Sequence, residues 1–143
     1  MIRLGESELQ KKLNELWAGI IEYFQINILK NTISFSIEVI ENGQKNKYNL
    51  IFNRVSSYYF VHDSGEQRYN ILDPEEGDYL ELTSIDYYKD GLDIKMKSLT
   101  EEWAKQYYSN ANFVLEIWNS MLFIEAKSVA INEKIFEVGY SQE

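Results

Sequence analysis

Apolar residues Leu9, Leu13, Leu16, Trp17 and Ile20 recur three or four apart, with Lys11, Asn14 and Glu15 between them. That spacing puts them on one face of an amphipathic helix of about three turns, whose stripe is expected to face the core. Ser7 followed by Gln10 has capping-box spacing, and Glu8 is placed to favour the helix N-terminus. After Gly19 the period changes to two. Phe24, Ile26 and Ile28 alternate with Gln25 and Asn27, and Lys30-Asn31 can turn the chain. Ile33, Phe35, Ile37 and Val39 then alternate with Ser34, Ser36 and Glu38, the cleanest half-buried strand in the sequence. Asn42-Gly43 is a strong hairpin signal because both residues tolerate positive φ. Beyond it Tyr48, Leu50 and Phe52 alternate with Asn49 and Asn53, so these two strands should pair antiparallel.

Tyr58 to His62 reads as a further strand ended by Asp63-Ser64-Gly65, and a long polar connection follows from Glu66 to Asp78. Tyr79 to Tyr88 resumes strand character. Asp90-Gly91 is a second hairpin signal before Leu92, Ile94 and Met96. Thr100 with Glu101 and Glu102 has the residues to cap a short helix carrying Trp103 and Tyr107. Phe113–Trp118, Met121–Lys127 and Ile135–Tyr140 close the chain as strands, with turns at Asn119-Ser120 and Asn132-Glu133. Short connections imply antiparallel neighbours. The expected fold is α+β: one domain over residues 1–143, its N-terminal helix packed on a twisted, mainly antiparallel sheet or open barrel of about eight strands.

Charge sharpens the picture. Ten acidic residues crowd between Asp63 and Asp93, opposed only by Arg68 and Lys89, which makes this segment −8. Residues 1–62 carry +1 and residues 94–143 carry −2, so the three parts sum to the chain's −9. Such a field attracts a basic partner and repels nucleic acid. It also disfavours anionic membranes, and no run approaches the roughly 18 apolar residues that span a bilayer. Met1 to Gln10 lacks the apolar core of a signal peptide, and the expected compartment is the cytoplasm. The chain has no cysteine, hence no disulfide, thiolate zinc site or cysteine nucleophile.

Motifs for chemistry are sparse. A lone histidine, His62, cannot make a multi-histidine metal site, and His62-Asp63-Ser64 are neighbours that point apart on an extended chain. The glycines form neither a dinucleotide fingerprint nor a P-loop. Asp73-Pro74-Glu75-Glu76-Gly77-Asp78 has calcium-loop residue types in the wrong order. Many carboxylates are present, so a pair suited to glycoside hydrolysis identifies nothing. No catalytic residue, metal or cofactor is expected, and the chain reads as a non-enzyme.

The tyrosine doublets Tyr58-Tyr59, Tyr87-Tyr88 and Tyr107-Tyr108 should each send one ring inward and one outward. Between Tyr79 and Tyr88, Leu80 and Leu82 are expected in the core with Tyr88 on their side. Tyr79, Glu81 and Tyr87 then share the outer face, unless a bulge shifts the register. Aromatic anchors among carboxylates suit an Arg- or Lys-rich surface. The candidate partner-binding residues are Asp73, Glu75, Glu76, Asp78, Tyr79, Glu81, Asp86, Tyr87 and Tyr88. The plainer reading is that the acids keep the domain soluble and the tyrosines fit sheet packing.

Two stretches, FVLEIWNSMLFIEAK from Phe113 to Lys127 and YLELTSIDYY from Tyr79 to Tyr88, resemble small immunity proteins of Bacillus-type bacteria associated with polymorphic toxins. The resemblance implies a helix on an antiparallel sheet and stoichiometric inhibition of a cognate toxin, with no catalytic motif. A toxin nuclease needs a basic groove, which an acidic protein can occupy as a phosphate mimic. Two other readings stay open: a β domain whose aromatic interior holds a sugar or apolar small molecule, and a structural or interaction protein.

Overall fold

The computed structural model describes residues 4–62, 80–95, 102–103, 108–117 and 120–140. Their order is α1 (Leu4–Asn14), β1 (Gly19–Asn27), β2 (Thr32–Glu41), β3 (Gln44–His62), β4 (Leu80–Tyr87), β5 (Ile94–Lys95), β6 (Tyr108–Ser109), β7 (Phe113–Ile117), β8 (Ser120–Ile131) and β9 (Lys134–Glu137). Among the described residues the fold is mostly antiparallel sheet with one short helix, more strongly β than a balanced α+β domain. Seven strands run β3-β2-β1-β4-β7-β8-β9, and β3 also pairs with β8, so six of them form a ring of ladders. β5 and β6 make a separate two-stranded ladder.

The ring is staggered. One path leads from Ile20 to Glu38 and on to Lys47. The other runs from Gly19 through Leu82, Ile117 and Ser120 to His62. A walk round the ring therefore leaves β3 at Lys47 and returns at His62, the offset that tilted strands require for closure. This is why two stretches expected as separate strands form a single β3 of 19 residues. Arg54, at φ 52°, and a bulge between Val55 and Ser57 mark where its two halves meet.

Sequence chemistry explains the best-formed part. β2 buries Ile33, Phe35, Ile37 and Val39 on one face, as its alternation demands. It returns through a two-residue turn in which Asn42 and Gly43 have φ of 53° and 79°, the conformation that matches strand twist. A chain of rings runs through the interior from Phe24, which is exposed at its outer end. Phe24 packs on Phe35, Phe35 on Phe52, Phe52 on Phe113 and Phe113 on Tyr87, with centroids 4.9 to 6.3 Å apart. Aromatic rings at these separations gain attraction beyond area burial.

The helix enters where the ring is weakest. β1 and β4 pair only through Gly19–Ile21 and Leu80–Leu82. α1 buries Leu9 and Leu13 here, and Leu16 follows in the next turn; each is worth about 1.5–3 kcal/mol. Gln10 then acts as a strand surrogate on β4. Its Oε1 accepts the Tyr87 N–H at 3.0 Å, and its Nε2 donates to the Ile85 carbonyl at 3.3 Å. The helix starts at Leu4, so Ser7 lies within it and Gln10 is no capping-box partner. It ends before Ile20, which belongs to β1, and Trp17 is exposed rather than core. Ala18, at φ 62°, terminates this turn and donates its N–H to the Leu82 carbonyl at 2.8 Å.

Two further expectations are corrected. Ile28 is exposed in the turn after β1 instead of extending its apolar face. Asp90-Gly91 does not return the chain onto β4. Gly91, at φ 76°, lies against the Asn110 side chain, whose Oδ1 accepts the Asp93 N–H at 2.9 Å, and the next strand, β5, pairs with β6. The expected helix after Thr100 falls mostly outside the described residues, of which Glu102 and Trp103 form a 3₁₀ turn.

Candidate partner-binding surface

Asp73, Glu75, Glu76, Asp78 and Tyr79, together with the calcium-loop-like stretch, lie outside the described residues. The sheet fixes where their segment is tethered. β3 ends at His62 opposite Ser120, and β4 begins at Leu80 opposite Ile21. Both tethers belong to the ring of ladders, and the exposed end of β3 leads straight into the acidic run.

On β4 the candidate residues divide. A bulge between Leu82 and Ser84 shifts the register against β7 by one residue. A one-residue shift reverses every side chain beyond it. Leu82 and Ile85 are therefore both fully buried, and Tyr87 turns inward onto Phe113 with centroids 5.2 Å apart. Tyr88, expected inside, is exposed beyond the strand end, where its N–H donates to the Asn112 carbonyl at 2.7 Å. The inside and outside assignments of Tyr87 and Tyr88 are thus reversed. Glu81 keeps its outward place opposite Ile20 and is half-buried. Asp86 also points outward, but its Oδ1 accepts a hydrogen bond from Gln10 Nε2 at 3.3 Å, so it helps seat the helix. Across the ladder, Glu116 accepts a hydrogen bond from the Ser84 hydroxyl at 3.3 Å and adds a third carboxylate to this face.

The larger exposed feature is the end of β3. β2 stops pairing at Ile33 opposite Phe52, and one further backbone bond joins the Val55 N–H to the Asn31 carbonyl at 2.9 Å. From Ser57 to His62, β3 pairs with β8 and, among the described residues, with no strand on its other side. Tyr58, Tyr59, Phe60 and Val61 are exposed by 44, 52, 52 and 39 %. Register explains the row. Tyr58 and Phe60 sit opposite Ile124 and Leu122 on the inner face, while Tyr59 and Val61 sit opposite Phe123 and Met121 on the outer one. The doublet does divide its rings between two faces, yet both rings are exposed because β2 no longer covers the inner face. Tyr107 and the side chain of Tyr108 lie outside the described residues.

Beside this end lies an open groove of about 290 Å³. Ile26 to Ile28 and Asn31 to Ile33 form one wall, and Val55 to Tyr58 form the other. Its lining carries no charge. At its edge the Ser56 hydroxyl donates to Glu125 Oε1 at 2.7 Å, and the Ser57 and Ser109 hydroxyls are 2.6 Å apart. Among the described residues no three His, Asp or Glu side chains form a group that could hold a metal, and no helix is long and apolar enough to cross a membrane.

Sequence reasoning marked Tyr58-Tyr59 but gathered its candidate residues between Asp73 and Tyr88. The available signal was the run from Ser56 to Val61, six residues without a charge or a proline.

Comparison with known proteins agrees on the family. "Uncharacterized protein YxiG" of Bacillus subtilis (strain 168) is 28% identical over 134 residues, spanning 90% of this chain and 93% of that protein. The YxiG-like protein family model matches residues 9–136, from the buried Leu9 of α1 to the buried Phe136 of β9. The chain thus belongs to the YxiG-like protein family.

Proposed function

We propose that this chain is a non-enzymatic, cytoplasmic binding protein of immunity type, which neutralises a basic partner protein by occupying its cationic surface. The observation that carries the reading is the continuity of two features. The exposed row from Tyr58 to Val61 ends one residue before the −8 segment begins. Aromatic side chains supply contact area at low entropic cost, and carboxylates beside them speed encounter with a cationic surface. A toxin nuclease is one partner of that kind, since its substrate groove must be basic. The sequence resemblance to immunity proteins supports the same choice.

The test starts with capture of partners from the producing strain on the tagged protein, washed stepwise from low to high salt. One stoichiometric basic protein surviving moderate salt is expected. Its association with the triple variant Glu75→Gln, Glu76→Gln, Asp78→Asn should be about tenfold slower at low salt and converge with the parent at high salt. Equal rates for parent and variant at both salts would sink the acidic-surface reading.

One observation favours a second reading, binding of a small molecule. The interior rings pack on one another, so the place for such a ligand is the neutral groove beside Tyr58. A saturable thermal shift with a metabolite, abolished by filling the groove with Ser57→Trp, would favour that reading.

A further inference from the structure

We infer that the groove between the β1–β2 turn and the end of β3 binds a neutral sugar, which lays one face of its ring on Tyr58 and bonds its hydroxyls to Asn31 and Thr32. This rests on the second reading, of the groove as a small-molecule site, and names the class of ligand it takes. The groove lies at the end of the ring where β2 stops pairing with β3. Mouths of barrel-like sheets are common places for ligands.

The walls are set by the chain itself. In the turn, Asn27 Oδ1 accepts the N–H groups of Leu29 and Lys30, both at 3.1 Å. Asn31, at φ 56°, leads into β2, and its carbonyl accepts the Val55 N–H at 2.9 Å, tying the turn to β3. Arg54, at φ 52°, and the bulge after Val55 then redirect β3, and the gap beside the turn is the groove. A preformed wall spares a ligand the cost of ordering it.

The lining offers two kinds of surface. Ile33 is buried, Ile26 and Val55 pack against the core, and the Tyr58 ring is exposed beside them. These residues make an apolar floor with an aromatic platform. Asn27, Asn31 and Thr32 line the same groove. Among the described residues, the Asn31 amide, the Thr32 hydroxyl and the Tyr58 phenol make no hydrogen bond within the chain.

Chemistry selects the ligand. No lining residue is charged, so nothing in the groove neutralises a phosphate or carboxylate. The carboxylate at its edge, Glu125, is already engaged by the hydroxyls of Ser56 and Ser57, which disfavours a cation. A wholly apolar ligand would fill the floor and leave the amide and hydroxyl unanswered. A sugar ring has an apolar C–H face and a rim of hydroxyls that both donate and accept. The Asn31 amide also does both, and the Tyr58 ring matches the C–H face. A volume of about 290 Å³ lies at the small end of ligand clefts and suits a mono- or disaccharide.

The test follows backbone amide shifts of the full chain during titration with glucose, N-acetylglucosamine, maltose and cellobiose. Cyclohexanol serves as a probe with an apolar ring and a single hydroxyl. At least one sugar should give saturable shifts confined to residues 26–33 and 55–58, with a Kd on the order of 1 mM for so open a site. Tyr58→Ala should weaken that sugar at least tenfold. Asn31→Gly with Thr32→Val should do the same and leave cyclohexanol unchanged, because glycine keeps the positive φ that the wall needs. The inference is overturned if no sugar shifts the groove, if the bound sugar shifts another part of the chain, or if the Asn31/Thr32 variant binds it as the parent does. Cyclohexanol saturating the groove while every sugar fails would sink the inference and leave a small-molecule site of apolar class. If no probe moves the groove, the small-molecule reading fails with it.

Discussion

The middle and the end of β3 both present apolar and aromatic residues to the inner face and meet opposite fates. From Leu50 to Phe52 the strand lies between β2 and β8, and Leu50 and Phe52 are fully buried. From Ser57 to His62 it keeps only β8 among the described residues, and Tyr58 and Phe60 are half exposed although they share the inner face with Leu122 and Ile124. Apolar character does not decide burial by itself; the presence of a neighbouring strand does. Stagger produces the difference, because a ring that returns fifteen residues along β3, from Lys47 to His62, must carry that strand past the end of β2.

The sharpest way to probe the contrast is to remove one ring from each half. Phe52→Ala takes away the centre of the aromatic chain, between Phe35 and Phe113. A loss of about 3–5 kcal/mol is expected in urea unfolding, from lost transfer energy and the cavity left behind. Asn112→Ala comes next. This fully buried amide donates to the Ala126 carbonyl at 2.9 Å and accepts the Ala126 N–H at 3.1 Å, bridging β8 between its β7-paired and β9-paired stretches. Leaving both backbone groups unpaired should cost about 2–3 kcal/mol by the same measurement. In the exposed half, Tyr58→Ser with Val61→Ser should cost about 1 kcal/mol or less in stability, since little buried surface is lost. Equal destabilisation by the Phe52 and the Tyr58/Val61 changes would erase the proposed difference between the halves.

The smallest expected effect is a pH slope. Burial raises the Tyr48 pKa, and Glu15 adds to it by charge and by accepting the phenol hydrogen bond at 3.4 Å, with a further push from Glu41. A phenol with a raised folded pKa holds its proton longer when folded than when unfolded. The associated stability is complete below the ordinary value near 10 and is lost as pH rises through the folded value. Tyr48→Phe should flatten the fall of stability above about pH 10. An unchanged slope would mean that Tyr48 plays no part in alkaline unfolding.

Much of the fold was legible because it depends on local chemistry. The alternation of Ile33 to Val39 and the positive-φ pair Asn42-Gly43 specify strand, face and turn without help from distant residues. The candidate surface was less legible, for two identifiable reasons. A single bulge after Leu82 exchanges the faces of Tyr87 and Tyr88, and nothing in LTSIDYY announces it. The role of Gln10 is equally hidden, because its spacing from Ser7 suits a cap while its amide is used by β4, 75 residues and more away.

By itself, then, the sequence determined the helix stripe of Leu9, Leu13 and Leu16, the strand periods, the Asn42-Gly43 turn and the concentration of negative charge between Asp63 and Asp93. Each of these is set by residues within a few positions of one another. Only the tertiary structure decided that two strands fuse into one β3, that the ladders form a ring, and that Tyr58 to Val61 are left exposed. Those outcomes depend on where strands distant in sequence stop pairing, and period-two alternation is the same whether a strand has one neighbour or two.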